Sequence, residues 1–210
     1  MLIKLYEDSP NGRDISKVVD ALQDGAVVIV PTDTFYSFAC SMQYKKAVET
    51  IAQLKGFSLK RAKYSMLCSS LSQLSEYVRP MDKDLFGLLR ECLPGPYTFI
   101  MDANNNVPRN YQNANKTIGV RVPECAITRA IIEELGVPLI GTSVRPLGED
   151  DDEPEYFTDP ELIYEVFGKR VDMVIDGGIG SDEPSTVIDC SDGQFELIRQ
   201  GKGPLPDELA

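Results

Sequence analysis

The chain has 210 residues, with 21 Lys+Arg against 33 Asp+Glu and a formal charge of −12. At 42% hydrophobic and 26% charged it has ordinary globular composition, and a chain this long can bury a core without disulfide staples. Histidine is absent, which excludes a Ser-His-Asp triad, a Cys-His pair and a His-Glu-x-x-His zinc site.

Residues 2–6 alternate and predict a first strand. Ile15, Val18, Val19 and Leu22 recur at helical spacing, predicting an amphipathic helix that stops at Asp24-Gly25. The β-branched apolar run 26–30 predicts a buried strand ending at Pro31. A helix is expected over 47–55, a strand over 65–68, and helices over 71–77 and 82–92. Strands are expected over 97–101 and 117–122. Ile127, Ala130, Ile131 and Leu135 predict a helix closed by Gly136. A strand over 137–141 then leads into Thr142-Ser143, a helix covers 160–167, and strands over 171–175, 186–188 and 195–198 close the chain. Helices and strands interleave throughout, which predicts an α/β or α+β fold around a large mixed sheet. No internal repeat breaks the chain, so 1–210 reads as one domain.

Cys40, Cys68, Cys92, Cys125 and Cys190 form no Cys-x-x-Cys, which argues against a zinc ribbon or a redox pair and suggests a reducing compartment. Residues 1–8 are too short and mixed for a signal peptide, and no apolar run reaches the roughly 18 residues of a membrane span. A soluble, cytoplasmic protein with no membrane partner is expected. The run Glu149-Asp-Asp-Asp-Glu-Pro-Glu155 reads as a solvated acidic loop, because a metal site needs acids converging from different elements.

Four features carry chemistry, each at or after a predicted strand end, where open sheets hold ligands. In Pro31-Thr-Asp-Thr-Phe-Tyr36 two hydroxyls and a carboxylate leave the sheet together, as a ligand site or as a polar turn. Lys55-Gly-Phe-Ser-Leu-Lys-Arg-Ala-Lys63 places four cations and no acid in an acidic chain, as an anion site or as a solvated helix end. Leu93-Pro-Gly-Pro-Tyr-Thr-Phe99 fixes a sharp turn ahead of a strand, with Thr98 able to point a hydroxyl inward. Finally, Arg121 lies inside an apolar strand and needs a carboxylate or phosphate, either a structural Asp or a ligand. It is read together with Gly141-Thr-Ser-Val-Arg145. No segment has Walker spacing.

In this order the motifs resemble the YrdC/YciO family, whose best-known members are threonylcarbamoyl-AMP synthases. The resemblance runs from about Val28 to Gly201. It rests on Val30-Pro-Thr-Asp-Thr-Phe-Tyr36, Leu93-Pro-Gly-Pro-Tyr-Thr98, Ile118-Gly-Val-Arg-Val-Pro123, Pro184-Ser-Thr-Val-Ile-Asp189 and Leu197-Ile-Arg-Gln-Gly201. It implies a twisted mixed α/β sheet of the YrdC/RibB-like type, flanked by helices and enclosing a large concave cavity. The implied reaction takes ATP, L-threonine and bicarbonate to threonylcarbamoyl-AMP and pyrophosphate, for modification of adenosine in tRNA, with Mg²⁺ accompanying the ATP. Carried over by motif, Thr32, Tyr36 and Arg121 would bind threonine. Lys55, Ser143, Arg145, Ser185 and Arg199 would bind nucleotide and phosphate. No residue is implied as a covalent catalyst.

Three departures point to the YciO branch. The family's Lys-x-Arg-Pro becomes Lys55-Gly-Phe57-Ser58, its Ser-Ala-Asn becomes Ser143-Val-Arg145, and its Tyr-Gly becomes Tyr36-Ser37. Family members are also described as binding double-stranded RNA. That alternative depends on a continuous basic surface, for which this chain offers the run from Lys55 to Lys63. A non-catalytic nucleotide-binding paralogue is the third reading.

Overall fold

Strand and helix periodicities along the chain resolve into one sheet with helices on both faces. The computed structural model describes residues 1–56, 64–144 and 157–209. Most of the basic run after Gly56, the acidic run 149–155 and Arg145 lie outside the described residues. The first half of the chain contains β1 (Leu2–Lys4), α1 (Gly12–Gln23), β2 (Val28–Val30), β3 (Ser37–Ser41), α2 (Lys45–Leu54), β4 (Ser65–Leu67), α3 (Leu71–Ser75) and α4 (Lys83–Cys92). The second half contains β5 (Tyr97–Asp102), β6 (Thr117–Arg121), α5 (Ala126–Leu135), β7 (Leu139–Ser143), α6 (Pro160–Phe167), β8 (Met173–Asp176), β9 (Thr186–Asp189) and β10 (Glu196–Arg199).

The strands form a mixed sheet in the order β1-β8-β2-β3-β7-β4-β6-β5-β9-β10. Pairings β1–β8, β2–β8, β4–β6 and β5–β9 are parallel, and the others are antiparallel. Caps explain several boundaries. Asn11 accepts from the Arg13 N–H at the start of α1, and Asp82 accepts from the Leu85 N–H at the start of α4. Gly136 ends α5 at φ 77°, a left-handed conformation that glycine adopts without a Cβ penalty.

Successive side chains on a strand point to opposite faces, and the core divides accordingly. Ile29, Phe38, Cys40, Met66, Ile140 and Val174 pack on one face, with α2, α4 and α6. Val28, Val30, Ala39, Leu67, Leu139 and Ile175 pack on the other, under the pair α1 and α5. That pair covers only part of its face. Further along the same face the alternate residues of β4, β5, β6 and β9 are Ser65, Thr98, Ile100, Gly119, Arg121 and Val187, which line an open cavity rather than a helix. Among the described residues, no helix is long and apolar enough to cross a membrane.

Two local departures from the sequence reading have simple causes. β3 is a central, fully buried strand, yet Ser-Phe-Ala-Cys-Ser has no β-branched residue to signal it. β7 starts at Leu139, beyond Pro138, and includes Thr142 and Ser143. A proline has no N–H for the ladder, so the strand begins after it.

Candidate functional site

The uncovered half of the sheet floors a cavity of about 670 Å³. Thr34 and Phe35 wall it from the loop after β2, Ser37 from β3, and Thr142 and Ser143 from β7. Ser185, just before β9, and Arg199, at the end of β10, close it. Gly119 keeps the floor open: a Cβ there would lie 3.3 Å from Ser65 Oγ and 3.3 Å from Thr98 Cγ2.

Arg121 is the most constrained charge in the wall. Only 9% of the residue is exposed. Its Nη2 donates to Asp33 Oδ1 at 2.7 Å and to Thr34 Oγ1 at 2.9 Å. Asp33 is held in turn, because its Oδ2 accepts from the Glu124 N–H at 3.0 Å. Among the described residues, Arg121 Nε is buried with no partner. Burial pulls the guanidinium below its usual pKa. Asp33 opposes that shift, and the nearby Arg199 adds to it. The cavity wall therefore holds two cations close enough to repel each other. An anion placed between them would relieve the repulsion.

Arg199 is anchored to the opposite wall. Its Nε and Nη2 donate to Ser185 O at 3.2 and 2.8 Å. Ser185 Oγ lies 2.8 Å from Thr98 Oγ1, joining the residue ahead of β9 to β5. Lys55, just past the end of α2, donates from Nζ to Ser143 O at 2.8 Å. Thus Arg121, Ser143, Ser185 and Arg199 share one cavity, with Lys55 bonded to its rim.

Thr32 and Tyr36 occupy different places. Thr32 Oγ1 donates to Phe35 O at 2.7 Å and accepts from the Thr34 N–H at 3.1 Å, so it shapes the turn that presents Thr34. Tyr36 is fully buried; its hydroxyl donates to Gly178 O at 2.6 Å and accepts from the Gly177 N–H at 3.1 Å. Burial pushes that phenol well above its ordinary pKa. Neither residue is among those lining the cavity.

Thr34, the second hydroxyl of the Pro31–Tyr36 segment, and Ser37 line the cavity, as do Ser65 and Asn113, for which no sequence motif gives a signal. Strand register carries the missing signal. Ser65 faces Gly119 across the β4–β6 ladder, so one face collects both. No Asp or Glu lines the cavity among the described residues, although the chain as a whole carries −12. The arrangement suits a ligand with several acceptor oxygens.

The Sua5/YciO/YrdC family model, described as telomere recombination, matches residues 20–201. The uncharacterised protein YciO of Escherichia coli is 36% identical over 202 residues, covering 96% of this chain and 95% of that one. Its crystal structure superposes with a TM-score of 0.90, covering 100% of this chain and 99% of the other at 33% identity. A threonylcarbamoyl-AMP synthase of Marinobacter nauticus is 27% identical and covers 89% of this chain and 96% of its own. The crystal structure of P. abyssi Sua5, complexed with L-threonine, has a TM-score of 0.85 at 25% identity. That match covers 96% of this chain and 57% of the Sua5 chain. With a family model spanning most of its length and a relative of 36% identity aligned almost end to end, the chain belongs to the Sua5/YciO/YrdC family.

Proposed function

We propose that the chain is a nucleotidyltransferase of the threonylcarbamoyl-AMP synthase type, binding ATP, L-threonine and bicarbonate in the cavity described above. The observation that carries this reading is electrostatic. Two guanidinium groups and a series of hydroxyls face one cavity, and no carboxylate does among the described lining residues. The family placement and the threonine complex of P. abyssi Sua5 support the choice of ligands.

The chemistry needs no protein nucleophile. Bicarbonate and the threonine amine form N-carboxythreonine with loss of water. One oxygen of the new carboxylate attacks the α-phosphorus of ATP. The bond from that phosphorus to the bridging oxygen breaks, and pyrophosphate leaves. The work of the site is to align two anions that repel in water and to stabilise the extra charge of the transition state. In this reading Arg121 holds the threonine carboxylate, fixed in orientation by Asp33 and Thr34. Arg199, Ser185 and Ser143 hold the phosphate chain, with Lys55 nearby. Thr32 and Tyr36 support the wall rather than touch the ligand. Arg145 is assigned to nucleotide by its motif alone. The product would serve tRNA adenosine modification.

Among the described residues, no group of three or more Cys, Asp or Glu side chains is placed to hold a metal. Mg²⁺ would enter bound to ATP, as part of the substrate.

The test is pyrophosphate release by the full chain with MgATP, L-threonine and bicarbonate. Release that depends on all three, and that falls at least a hundredfold in Arg121→Ala, is the expected result. ATP-induced thermal stabilisation without release would favour the non-catalytic paralogue. Neither release nor stabilisation would remove the proposal.

A further inference from the structure

Helix α5 follows closely on Arg121, the last residue of β6, and carries no N-terminal cap of its own. Cys125 stands in the N-cap position without a side-chain cap hydrogen bond, and the first turn holds no acid. Serine, threonine, asparagine or aspartate ordinarily fill that place, because the first N–H groups of a helix have no partner within it. The cap comes instead from Glu7, near the other end of the chain. Its Oε1 accepts from the Ala126 N–H. Its Oε2 accepts from the Ile127 N–H at 3.4 Å and lies 3.4 Å from Cys125 Sγ. A carboxylate there also meets the positive end of the helix dipole. The segment after β1 delivers it: the Leu5 N–H donates to Asp176 O at 2.9 Å, and the Leu5 side chain is buried in the same core as Ile127.

The turn that Glu7 caps is the one that holds the cavity wall. Thr128 Oγ1 donates to Pro31 O at 2.6 Å, and Cys125 Sγ lies 3.6 Å from the same oxygen. The Glu124 N–H, just ahead of the helix, donates to Asp33 Oδ2 at 3.0 Å, and Asp33 Oδ1 accepts from Arg121 at 2.7 Å. One line of contacts therefore runs from Glu7 through the first turn of α5 to Asp33 and Arg121. We propose that Glu7 is a positioning residue for Arg121. The inference rests on the reading of Arg121 as the group that holds the threonine carboxylate, and deepens it by naming what keeps that group in place. Glu7 touches no ligand in this scheme. The element with two arrangements is the first turn of α5, which is either capped or frayed. Fraying lets Glu124 and Cys125 move, frees one oxygen of Asp33 and loosens the guanidinium that Asp33 orients. The groups assigned to phosphate stand on other elements: Ser143 on β7, Ser185 ahead of β9 and Arg199 on β10. Loss of the cap therefore separates the two halves of the site.

The experiment measures dissociation constants of L-threonine and of AMP separately, on the full chain and well below its melting temperature. Losing a helix cap shifts an equilibrium about fivefold, which sets the ceiling of the effect. Glu7→Ala should weaken threonine binding about threefold to fivefold and leave AMP binding as in wild type. Glu7→Gln, which keeps one acceptor oxygen, should fall between Glu7→Ala and wild type. Glu7→Ala combined with Cys125→Ser gives α5 a local cap and should return threonine binding to the wild-type value. The double variant also covers the case of a poorly folded single variant, and thermal melting of each reports folding independently. A lower melting temperature in Glu7→Ala with both affinities unchanged makes Glu7 a structural cap only; it overturns the inference and leaves the proposed function standing. Equal weakening of both ligands does the same. Wild type that binds no threonine removes the reading of Arg121, and this inference with it.

Discussion

Arg121 and Asp33 are 88 residues apart in the chain and 2.7 Å apart in space. Both side chains are nearly inaccessible, at 11% and 7% exposure. A single guanidinium in an apolar strand predicts that a carboxylate or phosphate must meet it. Nothing local says which, and the structure supplies a carboxylate while leaving Nε without a partner among the described residues. The sequence therefore reveals the need and not its solution. Removing one partner of a buried ion pair leaves the other uncompensated. Asp33→Ala should lower the unfolding free energy by about 3–5 kcal/mol in urea denaturation. It also strands the Glu124 N–H, which now donates to Asp33. The double variant Asp33→Ala with Arg121→Met should recover much of that loss, since no buried charge remains. Equal stability of Asp33→Ala and the double variant would mean that the stranded Arg121 charge is not the source of the loss.

At the scale of elements, helices and most strands are legible because periodicity and caps are local. β3 is the instructive failure. Small residues allow it to pass between β2 and β7, and small residues also hide it. Its neighbour Gly141 shows how tight that passage is. A Cβ on Gly141 would sit 2.8 Å from Phe38 O and 2.8 Å from Ser37 Oγ. Gly141→Ala should therefore destabilise by about 1–3 kcal/mol, as overpacking does. It should also weaken ATP binding, because Ser37 is a cavity residue. Gly87 in α4 is the opposite case, with nothing within 4 Å of an added Cβ. Gly87→Ala should stabilise by about 0.5–1 kcal/mol, the ordinary helix preference. Chemical denaturation of the two variants side by side tests both signs. Glycines that look alike in the sequence are separated only by what lies across the sheet.

At the scale of the whole molecule, the cavity is assembled from strands distant in sequence, so its shape is beyond any local pattern. What the sequence does carry is an ordered set of motifs, each ending near the same half of the sheet. The same long-range packing buries every cysteine. Burial pushes the thiols of Cys40 and Cys125 up from 9.0 to about 12, and Cys68 higher still. In the unfolded chain these thiols ionise near pH 9, while in the native state they stay protonated. Between those values the native state binds more protons, so stability is fully present below pH 8 and falls as pH rises. Each thiol should remove about 1 kcal/mol between pH 9 and 10, or about 3 kcal/mol for the three together. Urea denaturation at pH 8, 9 and 10 measures this directly. The triple variant Cys40→Ala, Cys68→Ala, Cys125→Ala starts less stable, because each truncation leaves a small cavity, but its stability should decline much less with pH. An identical decline in wild type and triple variant would assign the alkaline sensitivity to other groups, first among them the Cys190 thiol, which burial also raises from 9.0 to about 12.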